Sequence, residues 1–174
     1  MRIRDYPRPR GDTGIGFHWF PDLYHYDDSY LDTFLPLLKS MGASWLVILS
    51  HPQRSIPASF IRGLLEEDIE PVVQLSTPYI AFLKQDELRE LCERYASWGV
   101  HYISPFKEPN LASRWPKWEE DLPERFMDLL IPCLETIYEV EGIIPLFPPL
   151  SPGGDFWDTV FLEACLDILN RQKS

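Results

Sequence analysis

Two hydrophobic rhythms alternate along this chain, and together they predict a strand followed by a helix five times over. Thr13–Phe20 (TGIGFHWF) reads as a first strand, glycine-rich at its start and aromatic at its end. A loop follows, and Ser29 is placed to cap a helix whose apolar positions Leu31, Phe34, Leu35, Leu38 and Met41 recur every three or four residues before Gly42 stops it. Ser44–Ser50 (SWLVILS) is a continuous apolar run, the pattern of a strand covered on both faces. A second helix starts near Pro57 and carries Phe60, Ile61, Leu64 and Leu65 as its stripe. Glu70–Thr77 is the third strand, and Asp86 to Trp98 the third helix, with Leu88, Leu91, Cys92 and Tyr95 on one face and Gly99 as its stop. Val100–Lys107 is the fourth strand, interrupted by Pro105. Pro123 opens a fourth helix, Phe126 to Ile137, that ends at Gly142. Ile143–Leu150 is a proline-rich fifth strand, and Phe156 to about Asn170 a fifth helix.

The strands start near positions 13, 44, 70, 100 and 143. Regular strand–helix alternation implies right-handed crossovers and a parallel sheet. A doubly wound sheet is the main competitor, and it favours a phosphate-binding turn after the first strand. Gly14 and Gly16 lie at the beginning of that strand instead, with no helix start behind them, so a dinucleotide site is not indicated. The fold class expected is α/β: a partial TIM barrel of about five β/α units with parallel strands in sequence order. A full barrel takes eight units and about 250 residues. The expected division is a flexible leader over 1–12 and an incomplete barrel domain over 13–174.

Charge removes one class of partner. The formal net charge of −11, with no clustered basic face, excludes a nucleic-acid surface. No apolar run reaches the roughly 18–20 residues of a membrane span, and the arginines at 2, 4, 8 and 10 precede no signal-like stretch, so neither a membrane nor a secretory route is indicated and the cytoplasm is the default. Cys92, Cys133 and Cys165 fall on apolar helix faces with no zinc spacing, and are expected as buried, reduced thiols.

In a β/α barrel, chemistry sits at the C-terminal ends of the strands. Those ends here include His18-Trp19-Phe20, Ser50-His51-Pro52, Ser76-Thr77-Pro78 and Lys107-Glu108-Pro109-Asn110. The fourth, a carboxylate followed by Pro and Asn at a strand tip, resembles the retaining glycoside hydrolases built on (β/α)8 barrels. In that clan the fourth strand ends Asn-Glu, often followed by Pro, and the Glu is the general acid/base. The long following loop with Trp115 and Trp118 also looks like loops of that clan. The Pro152–Asp155 turn (PGGD) is similar to one in uncharacterised bacterial relatives of those hydrolases.

The resemblance implies a poly- or oligosaccharide substrate, no cofactor, and Glu108 at the acid/base position. Such an acid protonates a poor leaving group while a second carboxylate about 5–5.5 Å away attacks the anomeric carbon. In the clan that nucleophile ends strand seven, which these five units do not contain, so the isolated chain is expected to be inactive. Lys107 stands where the clan has Asn, and an ammonium there favours the ionised carboxylate. The plain alternative for Glu108 is a solvated loop carboxylate paired with Lys107 or Arg114. His18, Trp19, His51, Lys107, Asn110 and Trp115 are the candidate substrate contacts, with His18 and His51 lining one mouth. For the tryptophans the competing reading is core packing. No Asp/Glu/Cys cluster accompanies the histidines, so no metal site is expected. A non-catalytic carbohydrate-binding or protein-interaction module is the rival reading. Open sheet edges would let the chain self-associate or recruit a complementary half-barrel, with prolines 145, 148 and 149 blunting only the fifth strand.

Overall fold

The computed structural model describes residues 5–118 and 121–172, and it is a five-stranded parallel sheet with its strands in sequence order. The elements are β1 (Gly16–His18), α1 (Asp28–Ser40), β2 (Trp45–Ser50), α2 (Ala58–Glu66), β3 (Glu70–Leu75), α3 (Gln85–Ser97), β4 (Tyr102–Ser104), α4 (Leu122–Tyr138), β5 (Ile144–Pro145) and α5 (Asp158–Gln172). A 3-10 turn at Ala112–Arg114 interrupts the long β4–α4 loop. Sequential order with crossovers of one hand sets the four connecting helices on the same face, as in part of a β/α barrel, and α5 packs beside α4. Among the described residues no helix is long and apolar enough to cross a membrane.

The helix side of the sheet is the core. Leu46, Ile48, Val73 and Ile103 are fully buried there, packed with Phe60, Leu64, Tyr95 and Phe126 from the helices. Gly63 lets α1 and α2 approach closely, since a Cβ at that position would lie 2.4 Å from Leu31 Cδ2. The three cysteines are buried and unpaired, and burial pushes the thiols of Cys92, Cys133 and Cys165 up to about 12, 11 and 12. The expectation of reduced core thiols holds.

Several boundaries differ from the sequence reading, each for a local reason. β4 stops at Ser104 because Pro105 has no N–H to donate. β5 shrinks to two residues: Ile144 and Leu146 donate to His101 O (2.7 Å) and Ile103 O (2.9 Å), after which Pro148 and Pro149 supply no donors. β1 is also short, so both edge strands offer little ladder to a stray strand. The cap of α1 is Asp27 rather than Ser29. Its carboxylate accepts the N–H groups of Ser29 (3.0 Å) and Tyr30 (3.3 Å), a charge well placed at a helix N-terminus.

The other face of the sheet is partly covered by the segment expected to be a loose leader. Its first four residues lie outside the described ones, but residues 5–12 are held: Tyr102 donates its hydroxyl to Pro7 O (2.5 Å), and the Trp45 indole N–H donates to the Asp12 carboxylate (2.7 Å). A cavity of about 530 Å³ on this face is lined by Tyr6, Arg8, Val72, Tyr102 and Ile144 among others. Further along this face Gln74 is buried, and its amide oxygen finds no hydrogen-bond partner among the described residues, while its amide nitrogen reaches Phe106 O only at 3.5 Å. An unmet buried acceptor costs about 1–3 kcal/mol. Gln74→Met, unbranched and close in length, is therefore expected to raise stability by about 1 kcal/mol in urea unfolding. A loss of stability would show that the amide is satisfied.

Candidate active-site face at the strand ends

The strand C-termini and the loops after them form one face, and hydrogen bonds between loops give it shape. Ile80 N–H, after β3, donates to Arg114 O (2.7 Å), and the Arg114 Nε–H donates to Lys107 O (3.2 Å). The loop after β4 is tied in turn to the loop after β5 by Asn110. Its amide nitrogen donates to Ser151 O (2.8 Å) and Phe156 O (3.0 Å), and its amide oxygen accepts Ser151 N–H (2.9 Å). Asp155 completes the tie by accepting Ala112 N–H (2.8 Å). The Glu-Pro-Asn and Pro-Gly-Gly-Asp motifs are thus two halves of one clasp. Asn110, a candidate substrate contact by sequence, is wholly buried in it and has both amide protons committed.

Glu108 occupies the tip of β4 with φ +51°, a left-handed conformation that costs a non-glycine residue about 1 kcal/mol or more. Asp68 also has positive φ, but it follows the end of α2, where that conformation is ordinary. No helix end explains Glu108. The loop holds it instead, through Glu108 N–H to Pro149 O (3.0 Å) and Leu111 N–H to Glu108 O (3.2 Å). Its half-buried carboxylate faces the Lys107 ammonium at 3.7 Å.

Both candidate tryptophans belong to the core. Trp19 is buried against Phe20, Phe34 and Phe60, and its indole N–H donates to His25 O (2.8 Å). Trp115 is buried beside Phe126, with its indole N–H on Pro109 O (2.7 Å) and the Arg125 guanidinium over its ring. Neither offers a ring face to a ligand. His18, at the end of β1, lies in register with Val47 and is exposed, with no side-chain hydrogen bond among the described residues.

His51 is the candidate that the structure builds into cavities. One, of about 350 Å³, lies between the loops after β1 and β2 and is lined by Tyr24, Tyr26, Asp27, His51 and Arg54 among others. The second, of about 470 Å³, lies between the loops after β2 and β3 and is lined by His51, Gln53, Thr77, Tyr79, Phe82 and Lys84 among others. His51 is their shared wall. Its Nδ1 accepts Gln53 N–H (3.1 Å), which leaves Nε2 to carry the ring proton as a donor. Glu108, His18 and Lys107 line neither cavity.

No family model, curated protein or solved structure matches the chain. The residues that sequence reasoning missed are therefore judged on geometry. Tyr24, Tyr79 and Phe82 are exposed aromatic rings beside the two cavities. Their signal was present in the sequence: each sits in a loop between periodic segments, where an aromatic has no core position to fill. Among the described residues no group of three or more His, Cys, Asp or Glu is arranged to hold a metal ion.

Proposed function

We propose that this chain is a glycoside-hydrolase-like β/α domain that binds an oligosaccharide across its strand ends, with Glu108 at the clan's acid/base position. The observation that carries the reading is the pair of adjoining cavities sharing His51, flanked by exposed rings of Tyr24, Tyr79 and Phe82. Sugars present apolar ring faces and polar edges, and an aromatic surface beside fixed donors suits both. The reading is binding rather than turnover for these five units. Glycoside cleavage takes two carboxylates, and the charged group facing Glu108 is an ammonium. Calorimetric titration with neutral trisaccharides such as cellotriose, xylotriose and mannotriose tests it. Tyr79→Ala and Phe82→Ala are each expected to weaken binding about two- to tenfold, the scale of one lost aromatic contact. Both rings are exposed, so stability should stay within about 0.5 kcal/mol. Unchanged affinity in both variants would refute the groove.

A second reading, assembly through the sheet ends, is favoured by apolar side chains left outside on the flanking helices. Leu37 and Met41 are exposed at the end of α1 near Ile15, and Val160, Leu162 and Leu166 are exposed on α5. Burying such flanks against a second copy or a complementary half-barrel would remove them from water. Size-exclusion chromatography with light scattering is expected to show mass rising with concentration. A concentration-independent monomer that unfolds cooperatively and binds no apolar dye would contradict it.

A further inference from the structure

The geometry points to an acidic sugar, a uronate residue, as the unit bound in the cavity between the loops after β1 and β2, with Arg54 as its carboxylate partner. This deepens the saccharide reading and rests on it. Arg54 is exposed on the cavity wall, and no carboxylate pairs with it among the described residues, although the chain holds 27 acidic side chains against 16 basic ones. In so acidic a protein an unmatched guanidinium facing a cavity is the feature to explain.

The contrast with the adjoining cavity is direct. There Lys84 is neutralised by Glu87 at 2.7 Å, and the same carboxylate takes the Gln53 amide (3.0 Å). The one carboxylate in the first cavity, Asp27, sits at the start of α1, where its Oδ1 accepts the N–H groups of Ser29 and Tyr30. The donors on this cavity's wall are the Arg54 guanidinium, the Nε2–H of His51 and the hydroxyl of Ser55. A second guanidinium, Arg94, lies 3.4 Å from Ser55 Oγ.

Arg54 is also held in place by its backbone. Its N–H donates to His51 O (3.3 Å) across a tight turn, and Ser50 Oγ lies 3.4 Å from its carbonyl. The flat donor fork of arginine matches a carboxylate with two parallel hydrogen bonds, which a neutral hydroxymethyl group cannot reproduce. Tyr24, 81% exposed at the rim, supplies the apolar surface for the sugar ring.

The test compares trimers of galacturonate, glucuronate and mannuronate with their methyl esters, which keep the sugar and remove the charge. Titration calorimetry of the full chain should give at least about tenfold tighter binding of one acid trimer than of its ester, the scale of a charge-assisted bidentate contact. Arg54→Gln should erase that preference, the acid losing at least about tenfold more affinity than the ester, and an unchanged urea midpoint reports that the variant is folded. Arg54→Lys should restore part of it. Equal affinity for acid and ester would overturn the uronate inference and leave the saccharide groove standing. No binding of any trimer, acid or ester, or of the neutral trisaccharides would remove both. Sodium acetate competing as well as the acid trimer would also overturn it, by showing an anion site that does not read sugar.

Discussion

Asn110→Ala is expected to lower stability by about 3 kcal/mol, because it takes the partner from three half-buried backbone groups at once, at about 1 kcal/mol each. The side chain is wholly buried and serves Ser151 N–H, Ser151 O and Phe156 O at once. Alanine fills none of those roles. A loss of that size should lower Tm by about 6–12 °C for a chain of this length. Gly154 provides an internal control. A Cβ there would stand 2.5 Å from Asn110 Nδ2 and 3.1 Å from Asn110 O, so Gly154→Ala should also destabilise. With alanine at 110 the nearer obstacle is gone, and the double variant should lose less than the sum of the two singles. Strict additivity would mean that the two residues do not meet.

The second large effect is expected at Tyr95, the buried hub beneath the His51 turn. Its hydroxyl accepts Ile56 N–H (2.9 Å) and shares a hydrogen bond with Ser50 Oγ (2.7 Å), bracketing the segment that carries His51 and Arg54. Tyr95→Phe keeps the ring and deletes both bonds, stranding a buried amide. The expected cost is about 2 kcal/mol in urea unfolding. Function should follow, because the turn that separates the two cavities loses an anchor at each end. Trisaccharide binding is expected to weaken in proportion to contacts with His51 and Arg54. Binding energy contributed by Tyr79 and Phe82, on the loop tied to Arg114, should survive. A variant of wild-type stability would show that the hydroxyl is dispensable and that the turn is set by other contacts.

Much of this architecture was legible in the residue pattern, because a strand covered on both faces and an amphipathic helix differ in period whatever surrounds them. The continuous run at 44–50 and the three-to-four spacing at 88–95 became β2 and α3 with boundaries close to those expected. Hydrogen-bond donors set the strand ends, so β4 and β5 were overdrawn through prolines whose missing N–H groups end a ladder. The candidate site was less legible. Trp19 and Trp115 follow strands, as binding aromatics often do, but their indole N–H groups found backbone carbonyls and their rings found the core. Asn110 looked like a substrate contact because its partners, Ser151 and Phe156, lie more than forty positions away and no local spacing announces them. Tyr24, Tyr79 and Phe82 stood outside every periodic segment, and only the cavities beside them give that position a meaning.

A ligand held at the strand ends around His51 must touch the residues that line the two cavities. Amide chemical-shift mapping of the isotopically labelled chain, titrated with cellotriose, xylotriose, mannotriose and trigalacturonate in turn, tests it most directly. At least one of these should move the signals of Tyr24, His51, Gln53, Thr77, Tyr79 and Phe82, and leave Tyr6, Asp12, Trp45 and Tyr102 on the opposite end of the sheet unmoved. Shifts confined to that second group, or no shift with any of the four sugars at millimolar concentration, would contradict it.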